Sequence, residues 1–147
     1  MHWEGTWELI PDSQASLLNM RRTTSTGSSL NLVFQGTDLD LLVHRDSRSG
    51  EIQVSIDGQP QESVTLRGEG AGYSVRISLA RRLPNGRHTV EITALNSPGS
   101  HVDIDGLVVQ NRPVPWAVYG FGAALAVAVA LLVLSHRRNS SSRLAAL

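Results

Sequence analysis

His101, Asp103 and Asp105 alternate along the chain. On a strand they project from one face, and a His-Asp-Asp face offers nitrogen and oxygen donors suited to a metal ion. The same spacing describes the solvated side of an edge strand, so no metal is assigned. Asp38 and Asp40 also share a face, without a clear third acidic ligand to complete a calcium site. Gly68, Gly70 and Gly72 have the spacing of part of a phosphate loop, but no helix follows and the segment reads as a connection between strands. No serine lies in GxSxG, and there is no HExxH, acid–base pair or cofactor loop. The chain is therefore read as a non-enzyme that needs no cofactor.

Sugar rings pack their C–H faces on aromatic rings, so a glycan site needs an aromatic platform flanked by hydrogen-bonding groups. Trp3, Trp7, Phe34 and Tyr73 are the candidates. Phe34 and Tyr73 fall on the core-facing side of their strands, and Trp7 suits core or platform equally. Trp3 is the freest, with Arg45, Asp46 and Arg48 in a loop as polar partners. The candidate ligand-binding set is Trp3, Trp7, Arg45 and Asp46. Arg81, Arg82 and Arg87 cluster around one turn, where a basic rim would suit anionic lipid or polysaccharide, but the favoured reading is ordinary surface charge that keeps the turn soluble.

These residues must be positioned by strands. Leu30, Leu32 and Phe34 share one face, as do Leu39, Leu41 and Val43, and then Ile52, Val54 and Ile56 up to Asp57-Gly58, a tight-turn dipeptide. Val64 and Leu66 form the return. Tyr73, Val75, Ile77 and Leu79 alternate with Ser74, Arg76 and Ser78. After the Leu83-Pro84-Asn85-Gly86 turn come His88, Val90, Ile92 and Ala94, and the last strand runs from Val102 to Val109. With two more strands around 5–10 and 17–22, the total is roughly eight or nine, which predicts an antiparallel β-sandwich of jelly-roll type.

The succession FQGTDLDLL, GEIQVSIDGQ, YSVRISLARRLPNGRHTVEIT and VDIDGLVV resembles the galactose-binding-domain-like jelly rolls, modules that accompany many bacterial carbohydrate-active enzymes and surface proteins. The resemblance covers about residues 28–110, with GTWELI matching more loosely before it. It implies β-sandwich architecture and a carbohydrate ligand, with protein contact or linking as the other roles of such modules. Its signature glycines, Gly36, Gly58, Gly86 and Gly106, are scaffold.

The chain has 147 residues, 13 basic and 13 acidic, and none of the basic ones is lysine. A neutral domain without a basic stripe argues against a nucleic-acid partner. The absence of cysteine excludes disulfides, thiolate catalysis and cysteine-bound zinc. From Trp116 to Leu134 no residue is charged, a length of about 28 Å as a helix against the ~30 Å of a bilayer core. Trp116 and Tyr119 suit the headgroup boundary at one end, and Arg137 and Arg138 the other.

The expectation is an all-β, antiparallel sandwich over residues 1–111, followed by a single transmembrane α-helix at 116–135. A linker at 112–115 joins the two, and 136–147 form a short basic tail. Arginines and a histidine after the span, against Arg112 alone before it, place the tail in the cytoplasm and the sandwich outside, in a single-pass membrane protein. Residues 1–13 lack the apolar core of a signal peptide, so this orientation requires an upstream start or a longer parent chain. A tail-anchored protein facing the cytoplasm is the other arrangement. Small residues four apart (Gly120, Ala124, Ala128) leave helix-mediated homo-oligomerisation open, although alanine-rich sequence produces such spacing readily. The expected partners are the lipid bilayer and either a glycan or a membrane protein. The leading reading is a membrane-anchored, extracytoplasmic binding module, and the alternative is a structural accessory domain or small subunit of a larger membrane complex.

Overall fold

The computed structural model describes residues 1–112. The expected span and tail, with Trp116, Tyr119, Arg137 and Arg138, and the linker past Arg112 lie outside the described residues. Among the described residues no helix is long and apolar enough to cross a membrane.

Among the described residues eleven strands form: β1 (His2–Glu4), β2 (Glu8–Pro11), β3 (Asn19–Thr23), β4 (Ser29–Gly36), β5 (Asp38–Arg45), β6 (Glu51–Ile56), β7 (Gln59–Pro60), β8 (Val64–Thr65), β9 (Gly72–Ala80), β10 (Gly86–Leu95) and β11 (Val102–Gln110). They make two sheets whose strand pairs are antiparallel. One runs β1-β4-β10-β6-β7 with β8 also on β6, and the other runs β2-β3-β11-β5-β9. The count exceeds the eight or nine expected because β7 and β8 are two-residue strands on β6, too short for an alternating pattern to show.

The core is what period-two patterning dictates. Leu30, Leu39, Leu41, Ile52, Leu66 and Ile92 are fully buried between the sheets, and burial of side chains of this size contributes about 1.5–3 kcal/mol each. Asp57 and Gly58, both with positive φ, form the turn that returns β6 into β7, where Ile56 pairs with Gln59. Two successive positive φ values match the right-handed twist of hairpin strands. The turn is pinned from outside: His88 Nδ1 bonds Asp57 Oδ2 at 2.7 Å while its Nε2 meets the Pro84 carbonyl at 2.8 Å. The histidine of the family-like strand thus ties two turns together, as a scaffold residue should. Gly36 has a different reason, since a Cβ there would lie 2.8 Å from the Gln110 carbonyl oxygen.

Two expectations need correction. Tyr73 does not face the core. Between the Val43–Val75 and Arg45–Gly72 pairs, β9 carries one residue more than β5. Ser74 sits in that bulge with φ 48°. An extra residue reverses the in-out alternation, and the Tyr73 ring lies on His44, centroids 4.5 Å apart, outside the core. Nor does the last strand form an edge. β11 is the central strand of its sheet, and His101, Asp103 and Asp105 are buried, not solvated.

Candidate functional site

Trp3 is on β1, the edge strand paired with β4, and Trp7 lies just before β2. Both are half-buried against the core, and their rings meet edge-to-face at 4.7 Å. Trp7 Nε1 donates to the Glu4 carbonyl at 3.0 Å. The Arg21 guanidinium lies over Trp3, 5.0 Å from the ring centre. Such stacking is electrostatically favourable and leaves the guanidinium edge free to donate hydrogen bonds. Trp3 and Arg21 contribute to one wall of a groove of about 460 Å³, which also includes Leu17, Asn19, Leu107 and Asp105. Its volume falls within the range of small-ligand sites. Asp105 is already committed there, accepting from the Ser16 amide (2.8 Å), the Ser16 hydroxyl (2.8 Å) and the Ser74 hydroxyl (2.6 Å). Leu9, Leu17 and Leu18 are exposed on β2 and the loop after it.

Arg45 and Asp46 do not join the tryptophans. Arg45 sends Nε to the Leu66 carbonyl (3.0 Å) and Nη2 to the Arg67 carbonyl (2.7 Å), so it braces the chain after β8. Asp46 accepts from the Arg48 amide at 2.7 Å and shapes the turn between β5 and β6. That turn is clasped to the start of β11: Gly50 donates to the His101 carbonyl (2.7 Å), and the His101 amide donates to the Arg48 carbonyl (3.1 Å). The clasp carries Asp46 to His101, where Oδ2 lies 3.6 Å from Nε2.

Asp46 therefore belongs to a second constellation, on the non-core face of the five-stranded sheet. Asp103 is fully buried and accepts two hydrogen bonds from Arg22, both 2.7 Å long. Its Oδ2 also meets His44 Nδ1 at 3.1 Å and lies 3.4 Å from His101 Nε2. The Asp103 contact raises the Arg22 pKa further, and burial pushes the His101 pKa down. Burial works to raise the Asp46 carboxyl, but the Arg48 amide and the nearby histidines and arginine outweigh it and hold the group below its ordinary value. One donor atom each from His44, Asp46 and His101 lies within 4.8 Å of the other two, so these residues could hold a cation.

Farther along β5, the Asp38 and Asp40 pair is buried and neutralised by arginine. Arg76 bonds Asp40 at 2.6 Å, Arg81 also contacts it, and Arg112 lies 3.4 Å from Asp38. The Thr37 hydroxyl, with the arginines beside it, keeps the Asp38 carboxyl below its usual range. Arg81 is thus an ion-pair partner, not part of a free basic rim.

Sequence reasoning missed Arg22 and His44. A signal for His44 was present, because it continues the Asp38, Asp40 parity opposite Leu39, Leu41 and Val43. Its meeting with Asp103 depends on the pairing of β5 with β11, where Asp103 stands opposite His44.

Comparison with known proteins decides the family. The carbohydrate esterase 2 N-terminal family matches residues 15–114. The chain belongs to this family. A curated relative of this carbohydrate esterase 2 N-terminal domain is the "A type blood alpha-D-galactosamine galactosaminidase" of Flavonifractor plautii, 29% identical over 76% of this chain and 10% of that protein. Among solved structures, the family two carbohydrate esterase from Clostridium thermocellum in complex with cellohexaose is similar at TM-score 0.52 and 16% identity, covering 74% of this chain and 34% of that one. The CBM36-1 domain of a multidomain xylanase from the hindgut metagenome of Trinervitermes trinervoides is similar at TM-score 0.57 and 14% identity. That match covers 78% of this chain and 93% of the domain. The chain spans about a tenth of the curated relative and about a third of the esterase. At these identities the two structures show a shared fold, an antiparallel β-sandwich.

Proposed function

We propose that this carbohydrate esterase 2 N-terminal domain is a non-catalytic glycan-binding module. It holds a sugar chain in the groove beside Trp3 and is tethered to a membrane by residues 116–135, with the sandwich on the extracytoplasmic side. The observation that carries the glycan reading is the groove itself: a half-buried Trp3 bearing the Arg21 guanidinium, with Asn19 at the same opening. A pyranose C–H face packs on the indole and on Leu17 and Leu107, while hydroxyls take hydrogen bonds from Arg21 and Asn19. The esterase neighbour was solved with cellohexaose, which supports an oligosaccharide as the class of ligand. The tether rests on the uncharged stretch from Trp116 to Leu134 and the arginines after it.

A second reading is favoured by a specific feature. Leu9, Leu17 and Leu18 are all more than half exposed, and apolar side chains grouped near a groove also suit a protein neighbour, as in an accessory domain of a larger assembly. Oligosaccharide titration of the full chain and its Trp3→Ala variant separates the two. Binding that is lost on removing the indole supports the glycan module, and no binding by either protein leaves the accessory role.

A further inference from the structure

We propose that His44, Asp46 and His101 bind one divalent transition cation of the zinc class, with Asp103 and Arg22 holding the site in shape. The three donors come from the end of β5, the turn after it and the residue before β11, and the backbone clasp between Gly50, Arg48 and His101 fixes them in place. Their donor atoms lie within 4.8 Å of one another. Tetrahedral ligands at ~2.0–2.1 Å from zinc stand about 3.3 Å apart, so side-chain rotations that draw the donors in by an ångström or so complete the site.

The protein alone leaves this cluster unsatisfied. The His44 and His101 side chains are only 9% and 7% exposed, and Nε2 of each is buried without a hydrogen-bond partner. Buried polar atoms in folded proteins nearly always have a partner, and each exception requires an explanation. Asp103 Oδ2 stands 3.4 Å and Asp46 Oδ2 3.6 Å from His101 Nε2, and His44 brings a third donor to within 4.8 Å. A cation satisfies all of them at once.

The surroundings are those of a metal site. Asp103 Oδ2 faces His44 Nδ1, and the doubly bonded Arg22 keeps this carboxylate an acceptor. With Nδ1 engaged by Asp103, Nε2 is the open ring nitrogen of His44. This carboxylate–histidine arrangement is how metal-binding imidazoles are oriented. Tyr73, turned outward by the Ser74 bulge, packs on the His44 ring and limits its rotation. Two imidazoles with one carboxylate select a zinc-class ion over calcium, which takes oxygen ligands only. Three protein ligands leave a fourth position for water or a ligand hydroxyl.

The test uses the full chain in mild detergent, stripped with chelator and titrated with Co(II), whose visible absorption reports coordination. The expected result is one Co(II) per chain, displaced by Zn(II). Affinity falls at least tenfold in His101→Gln and in Asp46→Asn, and is unchanged in His88→Gln, which alters a buried histidine outside the cluster. Circular dichroism establishes that each variant folds. Independently of any variant, Zn(II) must shift the imidazole NMR signals of His44 and His101 in the unmodified protein and leave that of His88 in place. Absence of saturable binding, unchanged binding in folded His101→Gln, or unperturbed His44 and His101 signals each overturns the proposal.

Discussion

Replacing Asp103 by alanine, in metal-free protein, is the sharpest probe of the polar network outside the core. The carboxylate is fully buried and serves both Arg22 N–H groups and His44 Nδ1. Removing one member of a buried ion pair costs about 3–5 kcal/mol, because the partner is left buried and uncompensated. The Arg22 side chain is 31% exposed and can partly turn to water, so the lower end applies, ~3 kcal/mol. Over the 112 residues of the sandwich, an unfolding entropy of ~2.1 cal/mol/K per residue converts this to a fall in Tm of about 13 °C. The assay is thermal unfolding by circular dichroism in the presence of chelator, run also on Arg22→Ala and on the double variant. Arg22→Ala alone strands Asp103, so the double variant should lose less than the two single losses combined, by at least ~1 kcal/mol. A loss below ~1 kcal/mol for Asp103→Ala, or an additive cycle, would refute the idea that this carboxylate organises the face.

Stability should depend on pH through the His88–Asp57 pair. Its hydrogen bonds to Asp57 and to the Pro84 carbonyl raise the His88 pKa, so its contribution is full below the unfolded value of ~6.5 and fades as pH climbs through the raised one. Asp57 is lowered by His88 and the Thr89 amide, so its contribution is present above ~3.8 and fades as pH falls through the depressed value. The slope of denaturant midpoints from pH 6 to pH 8 should accordingly be more negative in the unmodified protein than in His88→Gln, the depressed His101 working in the opposite sense in both; an equal slope in both proteins counts against the pair. Gly36→Ala pushes a methyl to within 2.8 Å of the Gln110 carbonyl and the Val109 side chain. It should destabilise by about 1–3 kcal/mol in urea unfolding, where no change would mean that β11 yields easily. The tether predicts that protease added to intact spheroplasts digests the sandwich; protection until lysis would put it in the cytoplasm.

The core was legible in the sequence because period-two alternation is local. Leu39, Leu41 and Val43, and then Ile52, Val54 and Ile56, point inward as their spacing requires. The candidate site was legible only in part, because its contacts are not local. Trp3 and Trp7 do meet, but Arg45 and Asp46 were grouped with them on residue type alone, and the fold sends each elsewhere. Asp103 seemed solvated because an acidic residue on the polar side of a strand usually is. Only the central place of β11, between Arg22 of β3 and His44 of β5, makes it buried and paired. Tyr73 was misplaced by a one-residue bulge at Ser74, a residue whose type gives no warning of positive φ.

The central claim is that the groove beside Trp3 binds a glycan, and calorimetric titration of the full chain with cellohexaose and with β-1,3-galactotriose tests it most directly. The account predicts saturable binding of at least one sugar by the unmodified chain. Removing the indole in a folded Trp3→Ala variant should weaken it about five- to thirtyfold, since one aromatic platform contributes on the order of 1–2 kcal/mol. Saturable binding that survives Trp3→Ala unchanged, or no binding of any oligosaccharide across a broad glycan array, would contradict it.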